Sequence, residues 1–258
     1  LYINQGNGQF VESAETAGLV VTHPTTRLGI GKGLAVIAVD LNQDQRMDLV
    51  VANDTTRNFV YLNQTDPMRP EEVRFSEMGT ELGMGFDRNG MATGAMGIDF
   101  AHYRNDDALS IAIGNFANEM SSFYVSQGLP PQFNDQSIGT GIGGPTRLAL
   151  TFGVFFFDYD LDGRLDYLQA NGHVEDEINR VQSSQTHQQP AQLFWNCGSA
   201  CARTYAPVSQ DSLGDLAKPI VGRGASYADI DEDGRLDVVL TQVAGPPLLL
   251  KNETTADH

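Results

Sequence analysis

The hydrophobic residues of this chain occur in short runs that alternate with turn-forming residues. Examples are LAVIAVD at 34–40, MDLVVAND at 47–54 and NFVYLN at 58–63, with Gly, Asn and Asp between such runs. Short runs rich in Val, Ile, Phe and Tyr and bounded in this way are typical of β-strands. No segment sustains the 3.6-residue periodicity of an amphipathic helix. The pattern therefore predicts an all-β protein.

Two landmarks recur along the chain in a constant order. Acidic loops begin at Asp40 (DLNQDQRMD), Asp158 (DYDLDGRLD) and Asp229 (DIDEDGRLD), and a degenerate copy occupies 102–110 (HYRNDDALS). Apolar runs that end in Asn or Ser follow them, and with the N-terminal copy they are LYIN at 1–4, VYLN at 60–63, FYVS at 123–126, LFWN at 193–196 and LLLKN at 248–252. Three periods of 63 residues separate Asp40 from Asp229. Four short strands per period predict the blades of a β-propeller.

The repeats divide the chain at approximately 1–83, 84–142, 143–209 and 210–258, within one propeller or part of one. LLLKN at 248–252 matches LYIN at 1–4, so the chain ends at nearly the point of the repeat at which it starts. One expectation is that the strands of residues 1–19 complete the blade built on 220–252 and so close a four-bladed ring. The other, which we favour, is that further blades belong to a longer protein.

The acidic loops have the composition of a calcium site. In D-x-D-x-D-G-x-x-D, positions 1, 3, 5 and 9 supply carboxylates, the carbonyl of position 7 supplies a neutral oxygen, and the Gly at position 6 permits a sharp turn. Ca²⁺ accepts such a set of hard oxygen ligands, and Mg²⁺ fits it less well because it keeps its waters. The predicted ligands are Asp158, Asp160, Asp162, the Arg164 carbonyl and Asp166 in one loop, and Asp229, Asp231, Asp233, the Arg235 carbonyl and Asp237 in another.

The two remaining loops depart from this pattern. A third, weaker calcium site is predicted from Asp40, Asn42, Asp44, the Arg46 carbonyl and Asp48, where Gln45 replaces the Gly and has to adopt a left-handed backbone. In the degenerate loop His102, Arg104 and Ser110 stand where three acids would be. There we expect the Arg104 guanidinium to lie beside Asp106 in place of a metal ion.

Charge and cysteine content narrow the partners and the compartment. The net charge of −17 and the pI near 4.4 argue against nucleic acid and anionic membrane surfaces as natural partners and favour cations. No apolar run approaches the roughly 18 residues of a membrane-spanning helix. Cys197 and Cys201 lie close enough for a disulfide, which we favour over free thiols or a zinc site. A disulfide indicates an oxidising compartment, extracellular or periplasmic.

Three segments carry a resemblance to a known family. LYINQGNGQFVESAETAGL, FGVFFFDYDLDGRLDYLQANGHV and GRGASYADIDEDGRLDVVLTQVAGPPLLLKN resemble the FG-GAP and VCBS repeats of integrin α-subunit propellers, and in particular the cartilage-acidic-protein-like group. The resemblance implies a propeller, often seven-bladed, with calcium in the loops between strands, commonly followed by an ASPIC/UnbV domain. This chain differs in showing about four repeats, in its degenerate second loop, and in stopping where that C-terminal domain would begin.

Function is less strongly indicated than fold. The Gly-rich stretches GIGKG and GTGIGG lack the spacing of phosphate loops, and His173 is best explained by a structural hydrogen bond. The sequence therefore predicts a calcium-stabilised, non-enzymatic binding scaffold, with a protein or carbohydrate ligand on a propeller face or on the insert 175–192. One alternative is a polysaccharide-active propeller enzyme or lectin, and another is an accessory subunit of a larger secreted or membrane-associated assembly. N-glycosylation sequons begin at Asn53, Asn63 and Asn252.

Overall fold

The structure is a computed structural model that describes residues 1–254. Most of its regular elements are strands: β1 Tyr2–Gly6, β2 Gln9–Glu12, β3 Gly33–Val39, β4 Asp48–Asn53, β5 Phe59–Asn63, β6 Phe75–Glu77, β7 Ile98–Ala101, β8 Ser110–Ile113, β9 Ser122–Gln127, β10 Gln132–Asp135, β11 Thr151–Phe157, β12 Asp166–Asn171, β13 Gln192–Asn196, β14 Tyr205–Pro207, β15 Gly222–Ala228, β16 Asp237–Gln242 and β17 Leu248–Leu250. Short helices connect some of them: α1 Ser137–Thr140, α2 Gly143–Thr146 and α3 Ile178–Val181, with 3₁₀ turns at Gly198–Ala200, Gln210–Ser212 and Gly214–Ala217.

Four antiparallel sheets follow one another in a ring as the four blades of a β-propeller. Blade 1 is β3–β6, blade 2 is β7–β10, blade 3 is β11–β14, and blade 4 is β15–β17, which has three strands within residues 1–254. In each blade every strand pairs with the next one along the chain. Contacts between the first strands, β3 with β7, β7 with β11 and β11 with β15, join successive blades. The propeller predicted from the repeats is confirmed.

The hydrophobic core lies between the blades because the side chains of a strand alternate between its two faces. In β11, Phe155 and Phe157 pack toward blade 4, and Phe156 packs toward blade 2. A strand such as β11 is therefore covered by a neighbouring blade on both faces, and its sequence is a continuous apolar run instead of an alternating one. Between blades 2 and 3, Phe123 contacts Phe156 and Tyr205 at ring-centroid distances of 5.8 Å.

The N-terminal strands form a separate hairpin beside blade 1. β1 and β2 pair with each other as a two-stranded sheet, so they do not extend the sheet of β15–β17. The segment after them is anchored to blade 1, where Phe75 donates its backbone N–H to the Ala17 carbonyl (2.8 Å) and the Tyr61 hydroxyl donates to the Leu19 carbonyl (2.9 Å). The expected completion of blade 4 by residues 1–19 is therefore not formed in this structure.

The carboxylate of Asp99 in β7 lies against blade 3. We expect it to make the stability of the folded protein depend on pH. It accepts a hydrogen bond from the Phe156 backbone N–H (2.8 Å), yet burial raises its pKa. A carboxyl group whose pKa is raised on folding contributes stability that is complete below its unfolded pKa of about 3.9 and is lost as pH rises through the folded pKa. We expect Asp99→Asn, which keeps an acceptor oxygen and removes the charge, to melt at a higher temperature than wild type at pH 8.

Thermal melts in chelator between pH 4 and pH 8 check this prediction. The exposed Asp176→Asn is the matched control, since it removes the same charge outside the core. The melting temperature of Asp99→Asn should change less between pH 4 and pH 8 than that of wild type or of Asp176→Asn. A melting temperature below wild type at every pH would contradict the explanation.

Candidate metal centre

The acidic loops connect the first and second strands of the blades, and their first acid closes the turn. The Asp158 carboxylate accepts the backbone N–H groups of Asp162 (3.0 Å) and Gly163 (2.9 Å). Asp229 does the same with Asp233 and Gly234, both at 3.0 Å. In the loop of blade 1, Asp40 accepts from Asp44 (3.1 Å) and Gln45 (2.8 Å). Three loops of different sequence therefore share one backbone conformation.

The left-handed backbone expected at Gln45 is present, with φ of 67°. It corresponds to φ of 80° at Gly163 and 86° at Gly234. A second left-handed position precedes it by two residues and was not anticipated, because non-glycine residues occupy it: Gln43, Leu161 and Glu232, each with φ of 60°. Side chains disfavour this conformation, so the hydrogen bonds to the first acid have to hold it in place.

The last acid of each loop, at position 9, is buried and ties the loop to the third strand of its blade. Asp166 is fully buried, and its two oxygens accept the backbone N–H groups of Tyr159 (3.1 Å) and Asn196 (2.7 Å). Asp48 and Asp237 are buried in the same way, and each accepts one N–H from its loop and one from an Asn at or just after the end of strand three, Asn63 or Asn252. These acids therefore have a structural role whether or not a cation binds.

The arginine at position 7 has a role that the sequence analysis missed. Only its carbonyl was predicted to matter, but the Arg164 side chain donates from Nε to the Asn196 carbonyl (2.7 Å) and forms an ion pair with Asp162. Arg46 and Arg235 make the equivalent contacts with Asn63 and Asp44, and with Asn252 and Asp233. The recurrence of Arg at this position in all three loops was the available signal. The arginine thus connects the position-5 acid to the end of the third strand.

Three carboxylates converge in each of two loops. One oxygen from each of Asp158, Asp160 and Asp166 lies within 4.8 Å of the others, and the same holds for Asp229, Asp231 and Asp237. The structure thus brings together the acids of positions 1, 3 and 9, whereas Asp162 and Asp233 are engaged by arginine. In blade 1 the amide of Asn42 donates to Asp44 (3.0 Å). The ligand roles of all the residues predicted in the three loops, the arginine carbonyls included, remain predictions.

The electrostatics of the blade 3 cluster favour a bound cation. Burial raises the pKa of Asp166 to about 7, and the nearby carboxylates of Asp160 and Asp162 add to the effect. The pKa of Asp160 is raised as well, first by burial and then by Asp162 and Asp158. A cation among these oxygens would relieve both the repulsion and the loss of hydration. The donor atoms are carboxylate oxygens, which fit a hard dication such as Ca²⁺.

The blade 4 cluster differs because it already contains a positive charge. Lys251 forms an ion pair with Asp231 and lies 3.5 Å from Asp233, and its hydrogen bond lowers the pKa of Asp231. The residue that corresponds to Lys251 in blade 3 is Trp195, immediately before Asn196, and it lies next to Asp160. Asp229 and Asp231 are also more exposed than their counterparts Asp158 and Asp160. We therefore expect the blade 3 cluster to bind a cation more tightly.

Replacing Lys251 with Leu should strengthen cation binding at blade 4. Without the competing ammonium group we expect calcium affinity there to rise by about tenfold. Isothermal titration calorimetry of Lys251→Leu in an Asp160→Asn background, where blade 3 is disabled, measures the blade 4 site, because the weaker loop of blade 1 is the same in the variant and in its control. Lys218→Leu removes an equal charge that pairs with Asp215 outside the clusters (2.8 Å), so it is the matched control. Equal affinity in the two variants would contradict competition by Lys251.

The degenerate loop of blade 2 is a structural brace. The expected pairing of Arg104 with Asp106 is wrong, because Arg104 donates instead to the Tyr103 hydroxyl (2.8 Å) and to Gln136 (3.0 Å). The aromatic ring of Tyr103 attracts the guanidinium to its face, with a centroid distance of 5.2 Å. Asn105 donates to the Gly163 carbonyl (2.9 Å) and so connects this loop to the acidic loop of blade 3.

Other polar residues singled out in the sequence have structural partners. His173 is buried, its Nδ1 accepts the Glu175 backbone N–H (3.0 Å), and burial lowers its pKa. Within the insert 175–192, Gln185 and Gln189 are buried, which leaves mainly its first half exposed. The sequon residue Asn53 is also buried, with its amide bonded to the Arg57 carbonyl (2.9 Å), so it is not a glycan acceptor in the folded protein.

A disulfide joins Cys197 and Cys201 just after β13. The helices found in residues 1–254 are all too short or too polar to cross a membrane. No protein-family model matches the chain, and no curated protein matches it. The observations that stand are therefore the four-bladed β-propeller and two acidic clusters that fit a metal ion, at the same point of blades 3 and 4.

Proposed function

We propose that this protein is a calcium-stabilised propeller of the FG-GAP/VCBS kind that acts as an extracellular or periplasmic binding scaffold without catalytic activity of its own. The observation that carries the proposal is the convergence of three carboxylates at the same point of two blades. Repetition at equivalent positions favours an architectural role, since a catalytic site needs to be built only once.

Calcium at these points would stabilise the blades. Asp158, Asp160 and Asp166 would hold one ion and Asp229, Asp231 and Asp237 the other, with Asp40, Asn42, Asp44 and Asp48 as a third and weaker site. The clusters lie where the first, second and third strands of a blade are tied together, so an ion there opposes their separation. An ion that binds only the folded state adds RT ln(1 + [Ca²⁺]/Kd), about 2.7 kcal/mol at a hundredfold excess over Kd.

The disulfide and the oxygen-rich clusters support an extracellular or periplasmic location. Disulfides persist mainly in oxidising environments. Loops of this type serve extracellular modules with modest affinity, at Kd values of about 10⁻⁴ to 10⁻³ M. The partner would be a protein or a carbohydrate that binds a propeller face or the exposed half of the insert 175–192.

Native mass spectrometry with and without chelator tests the metal proposal. We expect two calcium ions on the 28.0 kDa chain, one lost in Asp160→Asn and the other in Asp231→Asn. Chelator should remove both ions and lower the melting temperature. The absence of bound calcium at millimolar concentration, or two ions retained in both variants, would refute the proposal.

A further inference from the structure

Asn252 ties the acidic loop of blade 4 to the acidic loop of blade 3. Its backbone N–H donates to Asp237, the buried acid at position 9 of blade 4 (2.8 Å). Its side-chain Nδ2 donates to the Tyr159 carbonyl in the loop of blade 3 (2.7 Å). The backbone N–H of Tyr159 donates in turn to Asp166, the buried acid at position 9 of blade 3 (3.1 Å). Three hydrogen bonds thus connect the two buried acids across the interface between the blades.

Tyr159 lies between two of the acids that converge in blade 3. It follows Asp158 and precedes Asp160, and its carbonyl belongs to the peptide bond that leads into Asp160. A shift of these two carboxylates would therefore also move the carbonyl that accepts the hydrogen bond from Asn252. The connection between the blades begins at the segment in which an ion would be held.

The same connection joins blade 3 to blade 2. The Asn196 backbone N–H donates to Asp166 (2.7 Å), and its Nδ2 donates to the Tyr103 carbonyl, at position 2 of the blade 2 loop (2.9 Å). Blade 2 has Ser126 at the end of its third strand, where the hydroxyl accepts from Leu109 of the same blade (2.8 Å). Within the described part of the chain this shorter side chain makes no bond to blade 1. The connection therefore runs through blades 2, 3 and 4, and both carboxylate clusters lie on it.

We propose that the two carboxylate clusters bind calcium cooperatively, with Asn252 as the residue that couples them. This inference rests on the calcium binding proposed above. An ion held by the acids on either side of Tyr159 would fix the acceptor of Asn252, and Asn252 would then hold Asp237 in place for the second ion. Because the ordering produced by the first ion need not be repeated, the second ion binds more tightly. Coupling between sites is reciprocal, so filling either cluster should strengthen the other.

Calcium titrations of the full chain measure this coupling. Asp231→Asn leaves the blade 3 site and Asp160→Asn leaves the blade 4 site, so isothermal titration calorimetry of these variants gives the affinity of each site alone. The weaker loop of blade 1 is common to all of them. In wild type the overall constant for binding both ions should exceed the product of the two single-site constants by about fivefold or more. An ionic strength of about 0.15 M limits repulsion between the two ions.

Asn252→Ala tests the coupling residue itself. The substitution keeps the backbone N–H on Asp237 and removes the donor to blade 3, so both sites should still bind while the excess over the single-site product disappears. Asn63→Ala is the matched control, because Asn63 holds Asp48 in the same way (2.7 Å) but its Nδ2 donates to the Met47 carbonyl of its own loop (3.1 Å). The control should keep the cooperativity of wild type.

Hydrogen exchange in chelator separates this proposal from the calcium proposal. Even without an ion, the backbone amides of residues 158–166 should exchange faster in Asn252→Ala than in wild type, and Asn63→Ala should leave them unchanged. Independent binding of two ions by wild type, cooperativity retained in Asn252→Ala, or unchanged exchange in that variant would overturn the coupling and leave calcium binding intact. The absence of any calcium binding by wild type would refute both proposals.

Discussion

Asp160→Asn should remove about 2.7 kcal/mol of stability at a hundredfold excess of calcium over Kd and almost none in chelator. The substitution keeps the size of the side chain and removes one of the three converging charges. In chelator the variant should be as stable as wild type or slightly more so, because the raised pKa of Asp160 shows that its ionised form is disfavoured there. For a chain of this length the loss corresponds to a fall in melting temperature of about 5 to 10 °C.

Paired thermal melts in calcium and in chelator measure this difference. Asp176→Asn removes the same charge from the exposed insert, so it controls for the general effect of reducing the net charge of −17. The control should lose no calcium-dependent stability. An equal loss in both conditions for Asp160→Asn would mean that the carboxylate acts through protein contacts and not through a metal ion.

The fold was predictable because its unit is repeated. Runs such as LAVIAVD and the recurrent acidic loops indicated strands, blades and their order, and the sheets of β3–β14 follow that order. The acids of positions 1, 3 and 9 were also predictable, since a regular spacing in a tight loop places their carboxylates together. Local patterns of this kind depend on neighbours in sequence, which a sequence displays directly.

Contacts between distant segments were not predictable in the same way. The position of Arg104 depends on Tyr103 and on Gln136, 32 residues further along the chain, and nothing in its own loop indicates the latter. The arginines at position 7 reach a carbonyl 17 to 32 residues away. The placement of the hairpin depends on the close approach of Gly18 to β6. These contacts depend on how distant segments pack together and not on the conformational preferences of neighbouring residues.

The acids of one loop have different roles in the protein. Asp162 is committed to Arg164, and Asp166 to two backbone N–H groups, whereas Asp158 closes the turn. The pKa of Asp160 is raised even though this carboxylate has hydrogen bonds with the Asp162 backbone and the Trp195 side chain, so its ionised form is disfavoured without an ion and its removal should be felt mainly through metal binding. The acid of position 9 should behave differently, because it supports the blade even without an ion.

Asp166→Ala should destabilise the protein by about 2 to 4 kcal/mol in chelator as well as in calcium. The substitution leaves the buried N–H groups of Tyr159 and Asn196 without an acceptor, at a cost of about 1 to 3 kcal/mol each. Relief of the buried charge, whose pKa is raised to about 7, offsets part of that cost. In calcium the loss should be larger by the contribution of the ion.

Chemical denaturation in chelator at pH 7 measures the structural part of this effect. Asp166→Asn is the matched variant, because its single carbonyl oxygen can accept only one of the two bonds well, so its loss should lie between wild type and Asp166→Ala. Asp237→Ala should repeat the result in blade 4, where the Ile230 and Asn252 N–H groups depend on that acid in the same way. If Asp166→Ala were as silent in chelator as Asp160→Asn, the hydrogen bonds of position 9 would contribute little, and the blades would depend on the cation alone.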